Sequence, residues 1–564
     1  MPSETANTKD ALPVLIVGAG PTGLTFACEL ARRGLEFRVI DKNAAATDKS
    51  KALGVHARTL EAFENIGVVG EALQSGIPAY GLEVYAHRQR VLQIFLKDLD
   101  SRYRFILMLP QSETERILSQ RLAALGGHVD RQVELIDFKQ DDAAVLVTLR
   151  HGDGTEESFR CRWLVGCDGA HSTVRHLLQL PFEGAQYPET FSLTDVGVEW
   201  EAARDRIIVY MSDSGPLAFF PMRDGRYRII AATPQVDANQ PPTLEEFQAL
   251  VNQHVAGSVR LSDPRWLERF HIHRRRVDRY RVGRVFLAGD AGHIHSPAGG
   301  QGMNTGIQDA YNLAWKLALV ESGAGRPQLL DSYHAERHPV AADVLKSSDI
   351  MTRLQLMDNP VGHAIREHLL PFLGTQEFIV HGMTRQISGT GVNYVGSPIV
   401  AEHRASLLSA VAGALTEDLA ELDFLQGPRA GMHAPDADGL VTAAHQESSL
   451  YAAVRGTEHS LLLFAGLANP PEGLQQAVKV ARAAADRFAA RLNLYVVVPG
   501  PIDAVPLDIR ALGDPRHALH KLYHAVAPCL YLIRPDGYIG FRAEPAEIEP
   551  LITYLEKILV PEGR

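Results

Sequence analysis

Cysteine is scarce in this chain of 564 residues: four occur (Cys28, Cys161, Cys167, Cys529), with no CxxC pair and no His/Cys set at zinc spacing. That excludes a disulfide framework and a structural zinc site, and no metal is expected. Long apolar runs are missing as well. No uninterrupted stretch is long enough to span a bilayer, and the opening MPSETANTKDALP lacks the basic region and apolar core of a leader. Positive charge is in deficit, with 56 Lys and Arg against 67 Asp and Glu for a formal net charge of -11. A field of that sign repels nucleic acid and anionic membranes. The expectation is a multidomain chain in the cytoplasm, with no nucleic-acid or membrane partner.

Glycine, by contrast, is concentrated where it has work to do. Residues 14–42 read VLIVGAGPTGLTFACELARRGLEFRVIDK: a β-rich run, glycines at 18, 20 and 23, a helix pattern opening at Pro21, a second strand, then Asp41 and Lys42. This is a complete βαβ unit. Gly18 allows the tight turn, Gly20 lets backbone approach a pyrophosphate, and Gly23 lets the helix pack on the strand. The helix N-terminus then faces the phosphates, and Asp41 stands where a carboxylate accepts from ribose hydroxyls. Two later runs, WLVGCDGAHSTVR (163–175) and GRVFLAGD (283–290), are apolar strands ending in Asp168 and Asp290. In open α/β sheets that end of a strand is where ligands are met. The second run continues as AGHIHSPAGGQGMN and enters an apolar helix pattern.

Taken in order, GAGPTG (18–23), CDGAHSTVR (167–175) and GDAGHIHSPAGGQGMN (289–304) resemble the group A flavoprotein aromatic hydroxylases, single-component FAD monooxygenases of the phenol hydroxylase and polyketide hydroxylase branch. The resemblance implies FAD as cofactor, NADPH or NADH as co-substrate, and dioxygen with a small aromatic molecule, phenolic or polycyclic, as partners. Oxygen transfer would run through a C4a-hydroperoxyflavin. A homodimer is left open. By the family pattern Asp290 holds the ribityl chain, and the backbone of Gly302, Met303 and Asn304 lies by the flavin pyrimidine ring. Pro297 lines the space where substrate meets the flavin edge. Pro297, Gly302 and Asn304 are thus flavin-edge positions, and no side-chain acid or base is assigned. Asp41 and Lys42 match the acid-base pair at the adenosine end, and Gln111 matches a residue reaching the ribityl and phosphate region. Arg58 lies either along the flavin or on a helix surface. Asp168 belongs to a motif that handles FAD and NAD(P)H, with Arg175 as its structural brace. Gly292 departs from the pattern, which commonly has alanine.

The implied fold is α/β, with a Rossmann-like FAD-binding domain of the p-hydroxybenzoate hydroxylase type over 12–79, 109–181 and 276–395. An antiparallel β-sheet substrate domain is inserted as 80–108 and 182–275. Alternation of polar and apolar residues there, with turn signals such as RDGR at 223–226, supports the sheet. Tyr210, Phe219, Phe220 and Met222 are candidates to line the substrate pocket with Pro297, and Tyr85, Tyr210 or Tyr227 could orient a phenol. Residues 396–564 follow a βαβ…ββα order resembling a thioredoxin-like domain, without the CxxC that redox work needs. GPRAGMHAPDADG (427–439) at its entrance has no physical account at this level.

Three other signals take plain readings. HIHRRRVDRYRVGR (271–284) is a solvated strand edge, and His293 and His295 hold their loop by hydrogen bonds rather than bind a metal. The tryptophans stand alone at 163, 200, 266 and 315, so the WxWxIP signature of flavin halogenases is absent. Baeyer-Villiger insertion or epoxidation on the same scaffold, and a flavoprotein dehydrogenase or flavin-binding scaffold that does not use oxygen, are the alternatives.

Overall fold

The computed structural model describes residues 11–47, 52–86, 88–211, 215–233, 240–296, 299–356, 382–386, 388–404 and 423–562. The chain divides into two compact units, Met1–Tyr311 with Arg337–Gly391, and Asn312–Glu336 with Val392–Arg564.

The first unit opens with β1 (Leu12–Val17), α1 (Pro21–Arg32) and β2 (Phe37–Asp41). Next come β3 (Gly54–Val55), α2 (Ala57–Ile66), the hairpin of β4 (Gly81–Ala86) and β5 (Gln89–Phe95), α3 (Gln111–Ala124), β6 (Glu156–Gly166) and α4 (Thr173–Leu177). Four long strands follow, β7 (Glu183–Glu199), β8 (Arg206–Met211), β9 (Leu217–Pro221) and β10 (Arg226–Ala232), then α5 (Leu244–His254) and β11 (Arg260–Arg276). The chain returns through β12 (Val285–Leu287), β13 (His293–Ile294), α6 (Gly302–Glu321) and α7 (Asp331–Leu356).

A parallel sheet runs β12-β6-β1-β2 through its centre, with Leu15 beside Leu164 and Leu164 beside Val285. Val14, Leu15 and Ile16 are fully buried, as a parallel strand covered on both faces requires. The second sheet has the order β13-β11-β7-β10-β9-β8-β4-β5. It is not wholly antiparallel: β8 pairs with β4 in parallel, Arg206 opposite Gly81. The two strands come from different insertions, so no tight turn dictates their relative direction. α5, opened by a capping box at Thr243 and Glu246, covers one face through Phe247 and Val251.

In the second unit β14 (His459–Phe464), α8 (Pro470–Phe488) and β15 (Leu492–Val498) form a parallel crossover, with β16 (Arg510–Gly513) parallel to β15. β17 (Cys529–Ile533), β18 (Ile539–Glu544) and α9 (Ile548–Ile558) complete it. α8 buries Ala477, Val480, Ala484 and Phe488 against the sheet, a spacing of three and four residues. The four cysteines are free and buried. Residues 312–336 belong to this unit, an allocation the sequence did not indicate. Their Lys316 and Glu336 are buried in it with Arg534 and Asp536: Lys316 Nζ donates to Glu336 Oε2 (2.7 Å), and Arg534 donates to both Glu336 oxygens (2.7 and 2.9 Å) and to Asp536. Among the described residues, no helix is long and apolar enough to cross a membrane.

Candidate active site

The nucleotide cradle is built from backbone contacts. Gly18 has φ +101°, and a Cβ on it would lie 2.4 Å from the carbonyl oxygen of Cys167 on the neighbouring strand end; one on Gly23 would lie 1.9 Å from Gly18 O. Those two glycines let α1 close on the sheet. A Cβ on Gly20 would meet nothing within 4 Å, so the space before it is open. α1 begins there with Pro21 in its first turn and no side-chain cap, which leaves its first N–H groups facing that space. Thr22 Oγ1 packs against both Gly289 and Gly306, 2.7 and 2.5 Å from where their Cβ atoms would stand. The starts of α1 and α6 therefore converge on the turn at 289–291.

Asp41 Oδ2 accepts from Ala19 N (2.9 Å) and Oδ1 from Asn43 N (2.8 Å). Each oxygen retains a second lone pair for a ribose hydroxyl. Lys42 is exposed. Gln111 Nε2 donates to Glu115 Oε1 (2.9 Å) and its Oε1 accepts from Ala52 N (3.3 Å); burial raises the Glu115 carboxyl above its usual range. Arg58 is buried and pairs with Glu61 (2.5 Å), while its carbonyl accepts from Gln308 of α6 (3.1 Å). The alternative of a helix-surface arginine is thereby corrected: α2 turns this face inward.

Ser172 caps α4, accepting from Arg175 N (3.0 Å), while Asp168 accepts from Val174 N (3.2 Å), and burial raises the Asp168 carboxyl. Arg175 reaches across to donate to Ala291 O (3.0 Å) and Ala170 O (2.8 Å), with its guanidinium 3.9 Å from the centre of Phe182. It staples the Asp168 loop to the 289–291 turn. Asp290 sits exposed on that turn. The turn is held from behind by Asp309, which accepts from Gly289 N (3.0 Å), His293 Nε2 (2.6 Å) and Arg337 Nε (2.7 Å). Burial opposes the Asp309 charge, but Arg337 and His293 keep its carboxyl below the usual range.

Asn304 is committed through its side chain. Its Oδ1 accepts from His56 N (2.9 Å), and its Nδ2 donates to Gly54 O and Gly300 O (2.8 Å each), fastening β3 to the glycine loop. Gly302 and Met303 form the first turn of α6. Pro297 lies outside the described residues. His56 and His295 flank the loop, and burial pushes both down to about 4. Both imidazoles are neutral near pH 7, so the positive end at this point belongs to the start of α6. His293 is tied to Asp309 and His295 Nδ1 to Ser296 O (2.9 Å). Among the described residues, no group of three His, Cys, Asp or Glu could hold a metal ion. The open room before Gly20, the free N–H groups of α1 and the uncharged surroundings of the α6 start fit the pyrophosphate and isoalloxazine of FAD.

Strand alternation sorts the candidate substrate residues. Tyr210 and Phe219 pack with Tyr227 and Ile229 on the face covered by α5, and Tyr85 stacks on Tyr210 there while donating to Glu83 (2.9 Å). The three tyrosines thus share the covered face, turned away from the flavin side. Phe220 and Met222 point the other way and pack with Leu53, Ile106 and Met108, next to β3. Phe219 and Phe220 are adjacent in a strand, so only one of them could ever face the pocket. The sequence did not single out the remaining members of that inner face, among them Arg228, Trp266 and Glu268; recognising them requires the pairing of β7 with β10 and β11.

The family model described as "FAD binding domain" matches residues 11–348. The chain is similar to the 6-methylpretetramide 4-monooxygenase of Streptomyces rimosus, 34% identical over 98% of this chain and 95% of that protein. It is 33% identical to the pentachlorophenol 4-monooxygenase of Sphingobium chlorophenolicum, over 97% and 96%. Among solved structures, the anhydrotetracycline hydroxylase from Streptomyces rimosus superposes with a TM-score of 0.75 at 31% identity, covering 98% of this chain and all of that one (100%). The cradle, the braced turn and these likenesses agree: the chain belongs to the FAD-dependent aromatic monooxygenases, oxidoreductases that hydroxylate aromatic compounds at the expense of NAD(P)H.

Proposed function

We propose that this enzyme hydroxylates a phenolic ring of an uncharged polycyclic aromatic compound. The observation that carries this reading is the inner face of the large sheet, where Val84, Val209, Phe220, Ile230, Phe191 and Phe270 run across six strands on one side. Arg228, a cation on this wall, is neutralised there by a two-point pair with Asp195 (2.8 Å each). A broad ring system buries apolar area against such a wall at roughly 25 cal/mol per Å², whereas a small charged acid finds its charge unmatched. The relatives named for 6-methylpretetramide and anhydrotetracycline support the same class of substrate.

FAD, when bound, supplies the hydride acceptor and the oxygen-activating centre. The chain's own residues do the holding. N–H groups at the start of α6 would face the flavin edge and favour negative charge there, Asn304 and His56 fix that start to β3, and the apolar wall would exclude water from the substrate ring. Asp290 is assigned the ribityl contact, and Phe220 and Met222 the substrate contact. The C-terminal unit is read as a redox-silent thioredoxin-like fold, because Asn469-Pro470 stand where α8 would need a cysteine pair. Cytoplasmic residence, dioxygen as second substrate and a homodimer complete the reading, and sedimentation equilibrium counts the chains.

The test supplies purified enzyme with NADPH or NADH, air, and either a hydroxyanthraquinone or phenol. Oxidation of the nicotinamide matched by a product one oxygen heavier is expected with the polycycle. Coupled hydroxylation of phenol alone would overturn the substrate assignment. Gly20→Val tests the cradle: a Cβ at position 20 meets none of the described residues within 4 Å, so the variant is expected to fold and to lose FAD. A yellow variant with wild-type flavin content would remove the pyrophosphate from this place.

A further inference from the structure

We infer that Glu268 accepts a hydrogen bond from a hydroxyl group on the part of the substrate remote from the flavin, and so selects polycyclic substrates that carry one. The inference rests on the polycyclic reading above and names a specificity-determining residue within it.

Glu268 lies on β11 opposite Leu193 of β7, and register fixes its direction. Arg269 points to the covered face, where it meets Glu246 of α5 (2.5 Å) and Ser192 (3.1 Å). Trp266, Glu268 and Phe270 therefore share the inner face, with Phe270 stacked on Phe191 (6.0 Å between centroids). The strand rises about 3.3 Å per residue, so the carboxylate stands about 7 Å from the ring on either side.

Three other carboxylates of the sheet are matched, whereas Glu189 of β7, like Glu268, keeps a buried oxygen without a hydrogen bond among the described residues. Asp195 is paired with Arg228, Glu83 with Arg206 and Asp263 with Arg226. Glu268 is half-buried and has no such partner among the described residues: its Oε2 is inaccessible to solvent and makes no hydrogen bond with them. A buried acceptor left unsatisfied is costly, and such an atom on an apolar binding wall points to a donor supplied from outside. A carboxylate only accepts, so the group it takes is a donor, which on a phenolic polycycle is an O–H, and a carboxylate or ketone at that point is rejected.

Position decides which part of the substrate this is. β11 meets β13, the strand leading into the flavin loop, at Arg275 opposite Ile294. Glu268 precedes that point by seven residues, at most about 23 Å along an extended strand. Phe270 lies between Glu268 and that point along the strand, so the carboxylate stands toward the end of the wall away from the flavin loop, where the remote part of an extended ring system lying over Phe270 would meet it.

The test measures equilibrium binding to the FAD-loaded full-length enzyme, by perturbation of flavin absorbance, for emodin, for chrysophanol, which lacks one of emodin's ring hydroxyls, and for phenol. Wild-type enzyme is expected to prefer emodin by about 10- to 100-fold, as a site built around one hydrogen bond does. Glu268→Gln should reduce that preference and Glu268→Leu abolish it, with phenol binding, FAD content and melting temperature unchanged. A preference that survives in Glu268→Leu, or is absent from the wild type while both anthraquinones bind, overturns the inference and leaves the polycyclic reading standing. Binding of phenol with neither anthraquinone overturns both.

Discussion

Each unit buries a charge network, and the two differ in what they hold. In the first unit Asp309, His293 and Arg337 grip backbone: the carboxylate takes Gly289 N, and Arg337 donates to Thr305 O (3.2 Å). In the second, Lys316, Glu336, Arg534 and Asp536 grip one another, with Ser397 and Asn312 filling the remaining valences of Glu336 (2.7 Å each). Burial opposes ionisation of Glu336, yet Arg534 and Lys316 hold its carboxyl below the usual range. Both networks consist of side chains almost wholly removed from water. Burial and ionisation alone therefore do not mark a functional site; attachment to the backbone of a ligand-binding turn does.

The comparison can be broken most forcefully at Glu336. Glu336→Ala leaves Asp536 as the one acid of this cluster, with Asn312 still accepting from Lys316 (2.8 Å), and loss of one partner from a buried pair costs ~3–5 kcal/mol. Thermal unfolding should show that loss while the folded fraction binds FAD with unchanged affinity; a weakened FAD affinity would erase the distinction. Acid separates the units next. His56 has a folded pKa of about 4, below its unfolded value of about 6.5, so the unfolded chain takes up the proton first between those limits. Its contribution is complete above pH 6.5 and falls by about 3 kcal/mol as the pH drops through 4. Stability followed from pH 7 to 4 by flavin release should decline in that window, and His56→Asn should flatten the decline. Asp309→Asn keeps the shape but removes the carboxylate charge paired with Arg337, for ~2–3 kcal/mol. Unlike the change at Glu336, it should also raise the FAD dissociation constant, read by ultrafiltration of the yellow protein. Asn304→Ala is the mildest, ~1–2 kcal/mol for hydrogen bonds removed between β3 and the glycine loop, with the flavin absorbance shifted by the loosened loop.

How much of this was visible beforehand depended on whether a requirement was local. Gly18 and Gly23 are read from sequence because each excludes its own Cβ from a neighbour a few residues away or on the adjoining strand end. The substrate wall was not readable to that depth. Which of two successive residues faces inward depends on pairing between strands far apart in the chain, and β7 and β11 slip register between Gln186 and Thr190 and again between Asp195 and Gly197. Tyr210 and Phe219 are pocket candidates by residue type alone, and the pairing of β8 with β9 and of β9 with β10 sets them on the face covered by α5. The 427–439 stretch now has its account. Gly431, at φ +89°, threads between two segments, donating to Ile539 O and accepting from Tyr394 N (2.7 Å each), and a Cβ there would lie 2.5 Å from Val395 N. Its glycine answers to Val395, 36 positions before it, and its N–H to Ile539, 108 positions after it.

The division of the chain bears on how such an enzyme could be taken apart. The C-terminal unit is entered inside α6, between Tyr311 and Asn312, left inside α7, between Glu336 and Arg337, and entered again at Val392. A cassette can be exchanged at one junction; this unit has three, two of them in the middle of continuous helices. Grafting it onto another enzyme means carrying 312–336 along, and cutting the chain after Gly391 would strip Trp315, Lys316 and Glu336 of the neighbours that bury them. For a breeder of chimaeras, the last third of the sequence is not spare.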